Sequence, residues 1–400
     1  MNDHQDAASA SDRMARRQRL ALRAFRPAAP VIARAYRSIE PGRARRLKRK
    51  SPTGYDVASY SFHGSELETL IGRNYEKSLR NLWKAEIEAP YLGIRDASKL
   101  EKAGSSAEGE VAEVDRLMEI ATSEEVRRDF EAAFTPAERE AIGWLMSLIG
   151  HGEAYALYTS STLVSVVEGT GAKLGMAMQA MEEAKHFIVL RALLKTLGID
   201  KPIYDSAYIL FEKVASASPY RRLFAMNVVI ESFATTIFAQ FADYPALQHV
   251  VGVFHQDEAR HVGFPRNYAQ AGLIPEKVTT SRRERAARTA LLLPVLPLIF
   301  DYKPHFEALG LDCFGFFGRT IYKVANHADR VGLPGMVPAD ELISTMNLFF
   351  NAWTQAFEPE RFDGYRDYTA LKEGDVRRDL LAREAEVFGD IFKPVGTPTG

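Results

Sequence analysis

Residues 181–187 read MEEAKHF and residues 256–262 read QDEARHV, and these two stretches decide the fold. Both contain the motif Glu-x-x-His, as Glu183 with His186 and as Glu258 with His261. A spacing of three residues puts the carboxylate and the imidazole on one face of a helix. The doubled motif therefore predicts two helices that each supply one glutamate and one histidine to a shared metal site.

Each motif follows a lone glutamate in an apolar helical segment, Glu153 in GHGEAYALY and Glu231 in VVIESFATT. Because the residues around both glutamates are apolar or small, we expect both carboxylates to point into the protein. An unpaired buried carboxylate costs several kcal/mol. Two of them together need a cation, and a metal cluster supplies one.

The spacing of the four glutamates fits two antiparallel helical hairpins. Residues at the same height in a hairpin are equidistant from its turn. For Glu153 and Glu183 the midpoint falls in Glu-Gly-Thr-Gly at residues 168–171. For the second pair it falls in Asp-Tyr-Pro at residues 243–245. Since both are turn sequences, the chain is predicted to hold the two ligands of each hairpin level.

At these residues the chain resembles the ferritin-like di-iron carboxylate superfamily, over about residues 135–268. The resemblance implies an all-α fold, namely a ferritin-like four-helix bundle with a doubled Glu…ExxH site and additional N- and C-terminal helices. We expect a basic arm at residues 1–50 and a single helical domain at 51–400. The implied cofactor is two iron ions, with a Mn/Fe pair as the alternative, because the ligands suit both metals. The implied ligands are Glu153, Glu183, His186, Glu231, Glu258 and His261.

Two acids, Glu182 and Asp257, directly precede the glutamates of the motifs. Oxygenase-like members of the superfamily have acids at these positions, where they orient the metal-bound histidines. A metal-bound histidine does need an acceptor for its second ring N–H. The alternative for either acid is a surface charge.

The resemblance adds two further candidate residues. Thr235 lies four residues after Glu231, where monooxygenase hydroxylases have a catalytic-pocket threonine. A threonine packed in a helix groove fits the sequence equally well. His255 lies three residues before Glu258 and is the candidate for an extra ligand. Arylamine N-oxygenases use a histidine on this helix at a spacing that differs by one residue, so a core or solvent-facing histidine is the alternative.

The implied function is a non-haem di-iron oxygenase or oxidase that activates O2 to hydroxylate, N-oxygenate or desaturate a small organic substrate. Leu190 occupies the position where radical-generating reductase subunits have a tyrosine, which argues against that role, although Tyr155 and Tyr158 are close in sequence. A ferroxidase or other iron-handling protein is the main alternative. More than half the chain lies outside the bundle, which favours an enzyme. A metal-free interaction protein is the third reading.

Electrons must come from outside the chain, because it contains no recognisable flavin, dinucleotide or iron–sulfur motif. Its one cysteine, Cys313, cannot hold an iron–sulfur cluster. We therefore expect an external donor of the ferredoxin–reductase type, and a homodimer as the assembly.

Charge is distributed unevenly along the chain. Residues 1–50 have 14 basic and 4 acidic side chains, whereas residues 51–400 have 37 and 48. A basic arm of this kind folds onto its own acidic body or contacts a membrane surface or an acidic partner. Nucleic acid is not expected, because the arm lacks regularly interleaved aromatic residues.

The sequence also bears on localisation. No apolar run reaches the roughly 18 residues of a membrane helix, and the nearest one, at 291–300, contains two prolines. The first residues are polar and do not form a secretory signal. A single cysteine excludes an intrachain disulfide. We therefore expect a cytoplasmic protein.

Overall fold

The computed structural model describes residues 16–31, 34, 121–241 and 248–370, and within these residues it contains helices and no strand. An all-α fold is therefore confirmed for this part of the chain. The proposed division at residue 50 lies outside it, as do the helices predicted at 65–85 and 376–391. The principal helices are α1 (Glu124–Ala133), α2 (Pro136–Val166), α3 (Thr170–Leu197), α4 (Asp205–Ala215), α5 (Pro219–Phe241), α6 (Gln248–Gln270), α7 (Glu276–Thr280), α8 (Arg282–Leu292), α9 (Val295–Ala308), α10 (Cys313–Arg330) and α11 (Ala339–Phe357).

The first hairpin is built as its sequence predicts. Helix α2 begins with a capping box, in which the Thr135 hydroxyl accepts from the Glu138 amide at 3.3 Å and the Glu138 carboxylate accepts from the Thr135 amide at 2.8 Å. Helix α2 ends at Val166, and α3 begins four residues later, at Thr170. Gly169 between them has φ 83°, a backbone conformation that favours glycine. The predicted turn is confirmed.

The second hairpin is less regular. Helix α5 consists of an α-helical turn, a π-helical segment (Phe224–Ile230) and a second α-helical segment that begins at Glu231. Helix α6 follows at Gln248. The turn predicted at 243–245 lies in the span 242–247, outside the described residues.

Prolines end fewer helices than the sequence pattern predicts. That pattern predicts a helix over 246–263, before Pro265, but α6 continues to Gln270. It predicts no helix over 295–308, where α9 contains Pro297 and Pro304. A proline inside a helix removes one backbone hydrogen bond but does not prevent helix formation where surrounding contacts compensate for the loss.

Helix packing brings the two hairpins together. Helix α2 packs along α3, α5 along α6, and α3 against α6. Helix α9 lies against α2 and α4, while α10 packs against α5 and against α11. One helix, Pro219–Phe241, has the length and composition of a membrane span, but 72% of its most apolar window is buried inside the protein. It is thus placed as a core helix.

The described part of the basic arm lies against the body. Residues 16–25 are helical, and the Gln18 side-chain amide donates to the Ser344 carbonyl of α11 at 3.1 Å. Leu22 is buried by this packing, whereas neighbouring Leu20 is 58% exposed. The contact agrees with an arm that folds onto its own body, although it runs through an amide rather than through acidic side chains.

Candidate metal centre

Six side chains from four helices form the buried centre of the molecule. They form two groups that share two residues. Within each group, the potential ligand atoms all lie within 4.8 Å of one another. Both groups contain Glu183 of α3 and Glu258 of α6. The first group adds Glu153 and His186, and the second adds Glu231 and His261. The six residues predicted from the sequence are therefore brought together, and the two motif glutamates are shared.

The first half of the centre surrounds His186. Its Nδ1 atom lies 3.1 Å from Glu258 Oε1, 3.5 Å from Glu153 Oε2 and 3.7 Å from Glu183 Oε2. The imidazole is 1% exposed and stacks on Phe254 with ring centroids 4.1 Å apart. One nitrogen thus faces three carboxylate oxygens from three different helices.

The second half repeats this arrangement around His261. Its Nδ1 atom lies 2.9 Å from Glu258 Oε2, 3.1 Å from Glu183 Oε1 and 3.7 Å from Glu231 Oε1. Each shared carboxylate therefore directs one oxygen at each histidine. That arrangement is what two metals bridged by carboxylates need.

The second nitrogen of each histidine faces an acid from the opposite hairpin. His186 Nε2 is 3.0 Å from Asp257 Oδ2, and His261 Nε2 is 2.8 Å from Glu182 Oε2. Arg260 donates to both acids, to Glu182 at 2.6 Å and also to Asp257. The predicted roles of Glu182 and Asp257 match their contacts, and the crossing between hairpins fixes both ring orientations.

Charges in the centre compensate one another. Burial lowers the pKa of His186 and His261, but hydrogen bonds and charges of the surrounding carboxylates raise both well above the usual value. Burial and the charge of Glu258 raise the pKa of Glu183, yet the two histidines overcome this and lower it to about 2.

The two unshared glutamates behave differently from the shared pair. Burial raises the pKa of Glu153 well above its ordinary value, against the opposing hydrogen bond of His186. Burial and the charge of Glu258 raise the pKa of Glu231 in the same way. The buried carboxylates therefore need positive charge, which a divalent cation in each half would supply.

Unsatisfied atoms support this fit. Glu183 Oε2 and His186 Nδ1 are buried without a hydrogen-bond partner. Buried polar atoms without partners are rare in native proteins. Both atoms point into the first half of the centre, where a cation would accept their lone pairs. Carboxylate oxygens with one imidazole per metal are a donor set suited to iron or manganese.

A polar network beside Glu231 was not predicted. The Gln179 side-chain amide donates to Glu231 Oε1 at 2.8 Å and to Glu183 Oε1 at 3.1 Å. Asn227 donates to Gln179 Oε1 at 2.8 Å. Both residues lie four positions before a ligand glutamate, so they share its helix face, and this polar spacing is the signal that would have found them.

Pro265 explains part of this network. Proline has no N–H, so it cannot bond to the carbonyl four residues earlier, which belongs to His261. Asn227 donates to that carbonyl instead, at 3.0 Å. The His261 carbonyl that Pro265 leaves without a helical donor therefore accepts from Asn227. This bond holds Asn227, and through it Gln179, beside the candidate metal centre.

The π-helical segment of α5 ends immediately before Glu231. The Glu231 N–H donates to the carbonyl of Met226, five residues earlier. A π-helical segment fits an additional residue into the helix and turns the following residues about its axis. Such segments often occur at functional sites. No sequence signal predicted it.

Two further sequence candidates lie outside the ligand groups. Thr235 is fully buried, and its hydroxyl donates to the Ser232 carbonyl in its own helix at 3.1 Å. This contact agrees with the alternative in which Thr235 packs in a helix groove. His255 is 2% exposed and belongs to neither group of potential ligands among the described residues.

The tyrosines near the centre do not take the position of a radical tyrosine. Leu190 is fully buried, as its place one turn after His186 suggests. The Tyr155 hydroxyl donates to Glu212 at 2.6 Å. Tyr158 is 37% exposed.

A cavity of about 200 Å³ reaches the centre from the side opposite the histidines. Its lining includes Glu153, Glu231 and Glu258, but neither histidine. The remaining walls are almost entirely carbon atoms from α2, α4, α5, α8, α9, α10 and α11. The histidines and their acids thus close one face of the centre, and the cavity opens on the other.

Comparisons of the chain with known protein families, with curated proteins and with solved structures found no match. Sequence and geometry alone therefore carry the functional argument.

Proposed function

We propose that this protein is a di-iron carboxylate enzyme with a ferritin-like four-helix bundle, which uses O2 to oxidise a small organic substrate. One observation carries the proposal: a buried, doubled set of carboxylates and imidazoles meets an apolar cavity. An iron-storage or ferroxidase role needs the ligands but not such a cavity.

The proposed ligands divide into two equivalent sets. His186 and His261 would each hold one metal through Nδ1, and Glu153 and Glu231 would each hold the metal of their own half. Glu183 and Glu258, which face both histidines, would contribute to both sites. When bound, the two metals supply the redox chemistry that activates O2.

The remaining residues orient the ligands and exclude water. Asp257 and Glu182 accept the Nε2 protons of the two histidines, and so keep Nδ1 directed at the metal. Phe254 covers His186 on one ring face, and apolar side chains line the cavity. A dry surrounding strengthens electrostatic interactions at the centre and protects reactive species from water.

Oxygenation requires two electrons and two protons besides O2. One oxygen atom enters the substrate and the other leaves as water. Because the chain has a single, buried cysteine and no cluster motif, these electrons come from an external donor, for which a ferredoxin–reductase pair is the proposed class.

The proposal is tested with purified protein reconstituted anaerobically with Fe(II) and then exposed to O2. We expect two irons per chain, a magnetically coupled iron pair in the Mössbauer spectrum, and O2 uptake that continues with a chemical reductant. The double variant Glu183→Ala/His186→Ala should lose all three. An exposed control, Glu131→Ala on α1, should retain them.

Two results would contradict the assignment. Normal binding of two irons by the double variant would show that the metals bind elsewhere. Assembly of the wild-type chain into a large closed shell that accumulates ferric iron would instead favour iron storage.

A further inference from the structure

Within the described part of the chain, the side chains that line the cavity offer a ligand no free polar group beyond Glu153, Glu231 and Glu258. Its lining contains two threonines, Thr289 and Thr320. The Thr320 hydroxyl donates to the Phe316 carbonyl at 3.1 Å. The Thr289 hydroxyl donates to the Arg285 carbonyl at 3.2 Å and accepts from the Met336 amide at 2.9 Å. Both hydroxyls are therefore engaged within the protein.

Among the residues that the structure describes, the lining also contains no lysine, arginine, histidine, asparagine or glutamine side chain. A substrate carboxylate, phosphate or amide inside the cavity would lose its hydration without gaining a partner. Such burial costs more than the surrounding contacts return. The part of the substrate that lies in the cavity must therefore be hydrocarbon.

The cavity is also extended. On α2 it is lined from Leu148 to Ala156, on α5 from Met226 to Ala234, and on α10 from Phe317 to Val324. These spans contain nine, nine and eight residues, and the rise from first to last residue is roughly 10–12 Å of helix axis. A single aromatic ring would leave most of this length unfilled, whereas an unbranched chain fills it.

One end of the cavity meets solvent. Leu293, between α8 and α9, lines the cavity and is 58% exposed. Leu342 and Met346 of α11, also in the lining, are half-buried. The other end reaches the buried carboxylates of Glu153 and Glu231. A chain that enters beside Leu293 would place carbon atoms near the metals and leave a polar head group in water.

From these observations we infer that the cavity binds a long, unbranched aliphatic chain, as in a fatty acid or another acyl or alkyl compound. The inference rests on the proposed oxidation function and specifies its substrate class. Leu293, Leu342 and Met346 form the entrance, and Ile321 and Val324 line the interior.

The test measures binding of saturated fatty acids, from octanoate to hexadecanoate below their aggregation limits, to the full-length metal-free chain by calorimetry. We expect the affinity to rise about fourfold for each added methylene until the cavity is filled, and then to level off. The compact polar aromatic 4-aminobenzoate should bind more weakly than dodecanoate.

Matched variants locate the binding. Ile321→Trp places a larger side chain at a half-buried position in the cavity lining, so it should weaken dodecanoate binding at least tenfold. Leu293→Asp alters the exposed entrance, where folding is not at stake, and should also weaken it. Leu174→Asp changes an equally exposed leucine of α3 outside the lining and should have no effect. Circular dichroism checks that each variant is folded.

Affinity that does not depend on chain length, or that is unchanged in both Ile321→Trp and Leu293→Asp, would overturn the inference. The two proposals fail separately. Two bound irons and O2 uptake without chain-length dependence would refute the substrate class alone. Chain-length-dependent binding by a protein that retains no metal would refute the oxidation function and leave the aliphatic-chain cavity supported.

Discussion

The two halves of the metal centre have matching ligands but different surroundings. The cavity borders both Glu153 and Glu231, and the Phe254 ring covers His186. Around Glu231, a π-helical segment, Gln179 and Asn227 form a hydrogen-bonded support. The set of candidate ligands is thus symmetric, while no comparable amide donor lies beside Glu153 in the described part of the chain.

This difference indicates a division of roles. A carboxylate that accepts a hydrogen bond from a fixed amide is held in one orientation, whereas one without such a donor changes its orientation at lower cost. Under the proposed function, Glu153 would therefore be the carboxylate better able to rearrange, and Glu231 the one held in place.

The largest effect is expected where the halves share a ligand. Glu183→Ala removes an oxygen donor from both, so both metals should bind more weakly by more than the roughly 100-fold typical of a lost orienting partner. Elemental analysis after gel filtration, with Glu131→Ala as the exposed control, measures this. Retention of one full metal per chain would show that Glu183 does not bridge.

Removing an unshared ligand should affect one half. Glu153→Ala and Glu231→Ala are each expected to leave one tightly bound metal per chain, because each truncation leaves all four ligands of the other half intact. Titration with Mn(II), followed by electron paramagnetic resonance, counts the remaining sites. Loss of both metals in either variant would contradict the separation into halves.

The hydrogen-bonded support should matter less than a ligand and should act mainly on its own half. Gln179→Leu removes the donor to Glu231, and we expect metal affinity there to fall about 10- to 100-fold, with a smaller change in the Glu153 half. Gln270→Leu, at the exposed end of α6, is the matched control. An equal loss in both halves would place the main effect of Gln179 at shared Glu183.

Arg260 should have the smallest effect, because its side chain is 55% exposed and solvent screens its charge. An exposed ion pair contributes about 0.2–1 kcal/mol, so Arg260→Ala should weaken metal binding about two- to fivefold, equally in both halves. Arg260→Lys should restore part of the loss, and added salt should reduce the difference between wild type and Arg260→Ala. A loss confined to one half would separate the roles of Glu182 and Asp257.

The grouping of the six side chains could be predicted from the sequence because helix periodicity and hairpin symmetry fix their relative positions. Glu153 has no motif around it, yet its distance from the turn at Gly169 placed it level with Glu183. The acids Glu182 and Asp257 were suggested by the resemblance to oxygenase-like proteins, and a metal-bound histidine does need such an acceptor. That each acid serves the histidine of the opposite hairpin depends on how the hairpins cross, which no local pattern encodes.

Other features depended on compensation between distant residues. Pro265 predicts a helix end, but Asn227 from another helix takes over the freed carbonyl of His261. Helix α9 forms despite two prolines, because it packs between α2 and α4. The π-helical segment at Phe224–Ile230 likewise has no residue pattern of its own. The cavity is lined by residues of eight helices, so its shape could not be inferred from any single segment.

The most direct test of the central claim is anomalous X-ray scattering from crystals of the chain grown with Mn(II) or Fe(II). The account predicts two metal peaks about 3.5–4 Å apart, with the carboxylates of Glu183 and Glu258 between them and Nδ1 of His186 and His261 as ligands. A single peak, or metals bound away from these four residues, would contradict it.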